Sequence, residues 1–156
     1  MSDVEALRHA LAKIIPFNQT LSISITSVSP DSVELSQPEA PERLNNIGIA
    51  HTGAATLFVL GEAATEAMVI HAFYDLIKEG VVPFALKTTI TYHRPTRGEL
   101  RGISTLSPQE QTCIRDELTH SGRASFPIST RLLEESGLLV ATLEAQWGLR
   151  KPRTKA

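Results

Sequence analysis

One cysteine, one tryptophan and two tyrosines among 156 residues leave little room for several kinds of chemistry. Cys113 has no partner for an internal disulfide, so a packed core must hold the fold, and a reducing cytoplasm is the simplest setting. Charge of one sign is also lacking. Fifteen basic residues stand against 17 acidic ones, a formal net charge of -2, without the basic surplus that a nucleic-acid backbone demands. The opening MSDVEALRHA places charges where a secretory signal needs an apolar stretch. No G-x-S-x-G, H-E-x-x-H, Walker loop, G-x-G-x-x-G or cysteine pair occurs, so neither a metal nor a cofactor is expected. His9, His71, His93 and His120 are scattered without ligand spacing, and Cys113 falls in a polar segment.

What the chain does have is 42% hydrophobic residues, enough for one compact domain over 1–156 with a basic tail at 150–156. Its most informative stretch runs from 45 to 74. Between Gly53 and Tyr74 the only ionisable groups besides His71 are Glu62 and Glu66, set in a long apolar run. Glutamate rarely enters a core without a partner or a task. As a membrane span this run would carry two acids near its middle, each costing roughly 2.5 to 3.5 kcal/mol; a buried helix of a soluble domain is the better reading.

Ser2 and Glu5 form a capping-box pattern, and Val4, Leu7, Leu11, Ile14 and Ile15 recur at helical spacing, so the chain opens with an amphipathic helix that Pro16 stops. LSISITSV and SVELSQP, separated by Pro30 and Asp31, read as a β-hairpin. A loop from Pro38 to His51 leads into the long helix. Its alanines and glycines permit close packing, and its apolar residues surround most of its circumference. ALKTTITYH and GELRGISTL follow as strands broken by RPTRG. Ser107, Pro108 and Glu110 then start a short helix that Gly122 ends. ASFPISTRLLEE and LLVATLEAQWGL flank Ser136-Gly137 as a closing hairpin, with Leu139, Ala141, Leu143, Ala145, Trp147 and Leu149 on one face. Six antiparallel strands cannot cover every side of such a helix, so a homodimer or a dimer of dimers is expected.

The loop N-x-x-G-x-x-H-x-G at Asn45, Gly48, His51 and Gly53, the following LFVLGEAA, and the turn Y-x-R-P-x-x-G at Tyr92 to Gly98 resemble the hotdog-fold acyl-CoA thioesterases of the PaaI-like group. The C-terminal end, AQWGLRK, is similar to a branch of that superfamily known mainly as a domain of unknown function. The resemblance spans nearly the whole chain. It implies an α+β hotdog fold, a long helix wrapped by about six antiparallel strands, paired as a homodimer with active sites at the interface.

The resemblance also implies a thioesterase acting on an acyl-CoA or acyl-carrier thioester. Glu62, made more basic by its apolar surroundings, would activate water or attack the carbonyl. The amide of Gly53 or a neighbour would hold the developing oxyanion, Asn45 or Asn46 would orient the water, and His51 would order the loop or polarise the thioester. Thr52 and Ala54 would line the substrate; Arg94, Arg97 and Arg101 cluster around the strand turn, and some of them, Arg94 and Arg97 first, are expected to meet coenzyme A phosphates; Glu66 is expected to be structural. Glu62 lies nine residues beyond Gly53, roughly 13 Å along a helix. It therefore has to meet the loop of a second, antiparallel subunit.

Related enzymes usually carry the acid nine residues after the loop histidine. Leu60 stands there, Glu62 comes eleven after His51, and Thr52 replaces the first glycine of H-G-G. Two residues rotate a helical side chain by about 200°, so the loop is expected to absorb the difference. The alternative function is a non-catalytic protein that binds an acyl thioester; a hydratase on the same fold is weaker, without its usual histidine and acid pair.

Overall fold

A 25-residue helix, α3 (Ala54–Lys78), runs through the middle of the molecule with a six-stranded sheet curled around it. The computed structural model describes residues 3–152. Before α3 come α1 (Asp3–Ile14), the single-turn α2 (Phe17–Thr20), β1 (Ser24–Ser29), β2 (Ser32–Gln37), a 3-10 turn at Pro41–Arg43, and the two-residue strands β3 (Leu44–Asn45) and β4 (His51–Thr52). After it come β5 (Val82–Tyr92), β6 (Leu100–Thr105), α4 (Pro108–Ser121), β7 (Arg123–Glu134) and β8 (Leu139–Arg150). The sheet order is β1-β2-β6-β7-β8-β5, antiparallel throughout.

The core forms where sequence periodicity and sheet curvature agree. Ala141, Leu143, Ala145, Trp147 and Leu149 alternate along β8 and face α3, which offers Leu57, Leu60, Ala64 and Met68. Close approach is enforced by missing side chains. A Cβ on Gly61 would stand 2.7 Å from Leu143 Cδ1, and one on Gly102 of β6 would stand 3.4 Å from Ala64 Cβ. A buried polar clasp fixes the rotation of α3 as well: Trp147 Nε1 donates to Thr65 Oγ1 at 3.0 Å, and that hydroxyl donates to the Glu62 carbonyl at 2.9 Å.

The start and stop signals of α4 behave as the sequence implies. Ser107 and Glu110 cap each other reciprocally, Pro108 occupies the first turn, and Gly122 ends the helix at φ 76°. Ser2 of the N-terminal capping pattern, and the tail from residue 153, lie outside the described residues. Two expectations need correction, and the strand order adds a third finding. Ile14 does not join Leu7 and Leu11 in the core but is 48% exposed, because the chain turns at Pro16 into the extra helical turn α2. The segment 38–51 is not a bare loop, since β3 and β4 pair within it. The strands flanking RPTRG are not neighbours: β5 forms one edge of the sheet beside β8, while β6 lies between β2 and β7.

Gly61→Val is expected to lower stability by about 2 kcal/mol, the overpacking cost of forcing Leu143 aside, even though valine suits a helix better than glycine. A urea midpoint at or above that of the unmodified protein would show that this contact is not tight.

Candidate functional site

The chain enters α3 through a small ladder in which Asn45 pairs with His51 and Leu44 with Thr52. Neighbouring backbone holds it: Thr52 N donates to Thr96 O and Gly53 N donates to Arg43 O, both at 2.8 Å. Between the two strands, residues 46–50 form an exposed tip, with Gly48 at φ 78°. Glycine is required at 53 for a different reason. A Cβ there would come within 3.2 Å of Asn45 Oδ1 and 3.3 Å of Arg43 O, so a side chain would displace the asparagine.

Gly53 spends its own amide on Arg43, which corrects the expectation that it holds an oxyanion directly. The donors left at the start of α3 are the amides of the exposed Ala54 and Ala55, which have no acceptor one turn back. With the positive end of the helix dipole behind them they suit a developing negative charge. Tyr92 Oη donates to the Ala54 carbonyl at 3.2 Å, bracing the helix start against the end of β5. His51 Nδ1 lies 2.8 Å from the Ile49 carbonyl, so it carries the proton and Nε2 is left as the acceptor of the neutral ring. Asn45, His51, Thr52, Ala54, Tyr92 and Arg94 line one groove of about 320 Å³.

Glu62 is not in that groove. It stands half-buried farther along α3, where Thr88 Oγ1 of β5 donates to its Oε2 at 2.9 Å. Its partner is thus a hydroxyl rather than a cationic side chain. Nor does the loop absorb the two-residue offset, because Gly53 caps α3 directly after β4. The offset instead turns the two side chains to opposite sides of the helix. Leu60 is fully buried toward the sheet and Glu62 lies on the face that the sheet leaves open.

The remaining expected residues separate. Asn46 sits in the exposed tip. Arg97 is held away from the groove by a two-pronged pair with Glu39, Nε to Oε2 and Nη2 to Oε1 each at 2.8 Å, and this pair with the Gly98 amide draws the Glu39 pKa down to about 2. Arg94 lines the groove and is exposed, with no side-chain hydrogen bond or ion pair among the described residues. Tyr92 and Thr88 were the less legible contributors. Tyr92 lies within the Y-x-R-P turn and Thr88 in a run of threonines, but neither pattern says which way a strand residue points.

A long helix wrapped by one curled antiparallel sheet, with a loop of asparagine and histidine at its start, defines the hotdog fold of the thioesterase superfamily. A family model described as "Domain of unknown function (DUF4442)" matches residues 4–149, and the chain belongs to that family. Among solved structures it is similar to a Pseudomonas aeruginosa protein of unknown function described as a probable thioesterase. That pair shares 26% identity with a TM-score of 0.81, and 95% of each chain is covered. It is also similar to the Escherichia coli PaaI protein of the phenylacetic acid degradation operon, at 16% identity and TM-score 0.69 over 97% of this chain and 96% of that one. A Staphylococcus aureus thioesterase matches at 13% identity and TM-score 0.66 over 86% and 98%. No curated protein sequence matches.

One turn beyond Glu62, Glu66 has its pKa raised to about 7, first by burial and then by the charge of Glu62. Of the two glutamates in the apolar run, the one with the raised proton affinity is therefore the one expected to be merely structural. In the unfolded chain Glu66 ionises near the ordinary glutamate value of 4.5. Between there and about 7 the folded state holds an extra proton, and stability falls as pH rises through that window. Glu66→Gln, which stays neutral at the same volume, should raise the unfolding midpoint at pH 8 and leave it nearly unchanged at pH 4. Equal effects at both pH values would show that Glu66 ionises normally in the fold.

Proposed function

We propose that this protein is a thioesterase that hydrolyses an acyl-CoA or acyl-carrier thioester at a site built between two subunits. The observation that carries this reading is the separation of complementary parts along one helix. The amides of Ala54 and Ala55, with Asn45 and His51, gather at its start, while the carboxylate fixed by Thr88 lies farther along on the open face.

A second copy brings them together. β5 is an edge strand with only β8 beside it, and Val82, Phe84, Leu86 and Tyr92 along it are exposed. Such a long apolar edge invites pairing with another chain. A twofold arrangement with antiparallel α3 helices would carry Glu62 of one subunit to the loop of the other, twice. The thioester oxygen would rest on the Ala54 and Ala55 amides. Glu62 would take a proton from water as its oxygen adds to the carbonyl carbon, or add to that carbon itself. The tetrahedral intermediate would then collapse with loss of the thiolate, giving the acid at once when water attacked, or, when Glu62 itself attacked, an acyl-glutamyl anhydride that water then hydrolyses; Asn45 would hold the carbonyl or the water, and His51 Nε2 would accept from the water. Arg94 is placed to meet a phosphate of coenzyme A; Arg97, engaged by Glu39, is not.

A non-catalytic acyl-thioester-binding protein is the second reading, and Leu60 favours it by standing where related enzymes usually carry the acid. Thiol release from short, medium, long and aromatic acyl-CoAs separates the two. Glu62→Gln should lower turnover of whichever thioester is cleaved by roughly 10² to 10⁴-fold, with the dimer and substrate affinity kept. Full turnover in the folded variant would remove Glu62 from the chemistry, and no cleavage across the panel would leave the binding reading.

A further inference from the structure

The contacts of the fold leave Glu66 without a task. It stands half-buried one turn beyond Glu62, on the face of α3 that the sheet leaves open, between the buried Thr65 and Ala67. A structural glutamate in such a place needs a cation or a donor to offset its burial. Glu66 has neither a hydrogen bond nor an ion pair among the described residues. What acts on it is the neighbouring carboxylate: burial and the Glu62 charge together keep its proton in place up to about pH 7.

Two contacts along β5 set the scale of the composite site. Tyr92 holds the Ala54 carbonyl and Thr88 holds the Glu62 carboxylate. The helix between the first and last of these residues and the strand between the other two have nearly the same length, ~12 and ~13 Å, so α3 and β5 lie side by side in opposite directions. A twofold axis that carries Glu62 to the partner's Ala54 then passes level with Phe58 of the helix and Ile90 of the strand, and Thr88 of one copy comes beside Tyr92 of the other. Glu66 lies ~6 Å farther on, past the partner's helix start and over the groove that His51 and Arg94 line. With the carbonyl at the amides of Ala54 and Ala55 and the coenzyme arm directed to Arg94, the sulfur is the next atom along the groove from the carbon that Glu62 faces.

Resting on the thioester reading above, we propose that Glu66 is the acid of the composite site and gives its carboxyl proton to the sulfur as the carbon–sulfur bond breaks. Glu62 has by then taken a proton from the attacking water, so one carboxyl is newly protonated and its neighbour newly ionised. Passing that proton across the single turn between them restores both groups, and the sum is thioester and water to acid and thiol. Where Glu62 itself adds to the carbonyl, the water that opens the anhydride returns a proton to Glu66 instead. A carboxyl kept protonated near neutrality beside a charged one is the arrangement that divides acid and base roles between two like residues.

The test varies the leaving thiol. The acyl group cleaved fastest in the acyl-CoA panel is offered both as its coenzyme A thioester and as its para-nitrothiophenyl thioester, whose thiolate departs without a proton. Glu66→Gln keeps the volume but cannot give up a proton. It should lower turnover of the coenzyme A ester at least about tenfold and that of the aryl ester less than about threefold. Glu62→Gln should slow both esters alike, because attack on the carbonyl is common to them. Glu66→Asp, which keeps an acidic proton, should retain more of the coenzyme A turnover than Glu66→Gln does. Each comparison is a ratio between two substrates on one preparation, so a partly folded sample does not alter it. Equal losses on the two esters in Glu66→Gln, or none on either, would overturn the proposal and defeat this inference alone. No cleavage of any acyl-CoA by the unmodified protein would defeat the thioesterase reading itself, and this inference with it.

Discussion

The distance between α3 and the sheet is set by absent side chains, and the geometry of the site follows from it. Gly61 leaves room for Leu143, while Gly102 lets Ala64 and Leu60 come down onto β6. At this separation Trp147 reaches Thr65, whose hydroxyl holds the carbonyl of Glu62, so the helix cannot rotate without breaking a buried hydrogen-bonded chain. That rotation puts Leu60 in the core and leaves Glu62 on the uncovered side, within reach of Thr88. A wider spacing would let α3 turn and would part the Glu62 carboxylate from Thr88 of β5.

The same constraint makes the monomer incomplete in a defined direction. The sheet covers the side of α3 that carries Leu57, Leu60, Ala64 and Met68, and leaves Ala55, Phe58, Val59, Glu62 and Glu66 partly or fully open. Along that side the free amides of Ala54 and Ala55 come first and the carboxylates follow, with cavities on both flanks of the amides. The groups that the proposed function calls on are thus spread along one helix instead of gathered in one pocket, an arrangement that a twofold partner would complete.

Much of this was legible in the residues. The alternation from Ala141 to Leu149 gives the inner face of β8, and Ser107, Pro108, Glu110 and Gly122 mark both ends of α4, because these signals are local. The β1–β2 hairpin at Pro30 and Asp31 was local too. Strand order was not, since a seven-residue connection around RPTRG reads the same whether its strands pair or cross the sheet. At the site, the Asn45, His51 and Gly53 pattern located the helix start. Which amides stay free depended on Arg43 accepting from Gly53, a contact between residues ten apart. The partners of Arg97 and Gln37 lie 58 and 16 residues away, and no periodicity records such pairs. Glu66 shows the same limit: burial decides a carboxyl's proton affinity, and burial is a property of the whole fold.

The central claim is that Glu62 of one subunit serves the loop of the other, and subunit complementation tests it most directly. Glu62→Gln chains are mixed with Asn45→Ala/His51→Ala chains under conditions that exchange subunits. Each variant alone should be nearly inactive. Random mixing makes about half of the dimers mixed, each with one intact site of two, so activity should return to about a quarter of the unmodified level. Demonstrated mixed dimers that stay as inactive as either parent would contradict the account, because a site contained within one subunit is broken in both partners.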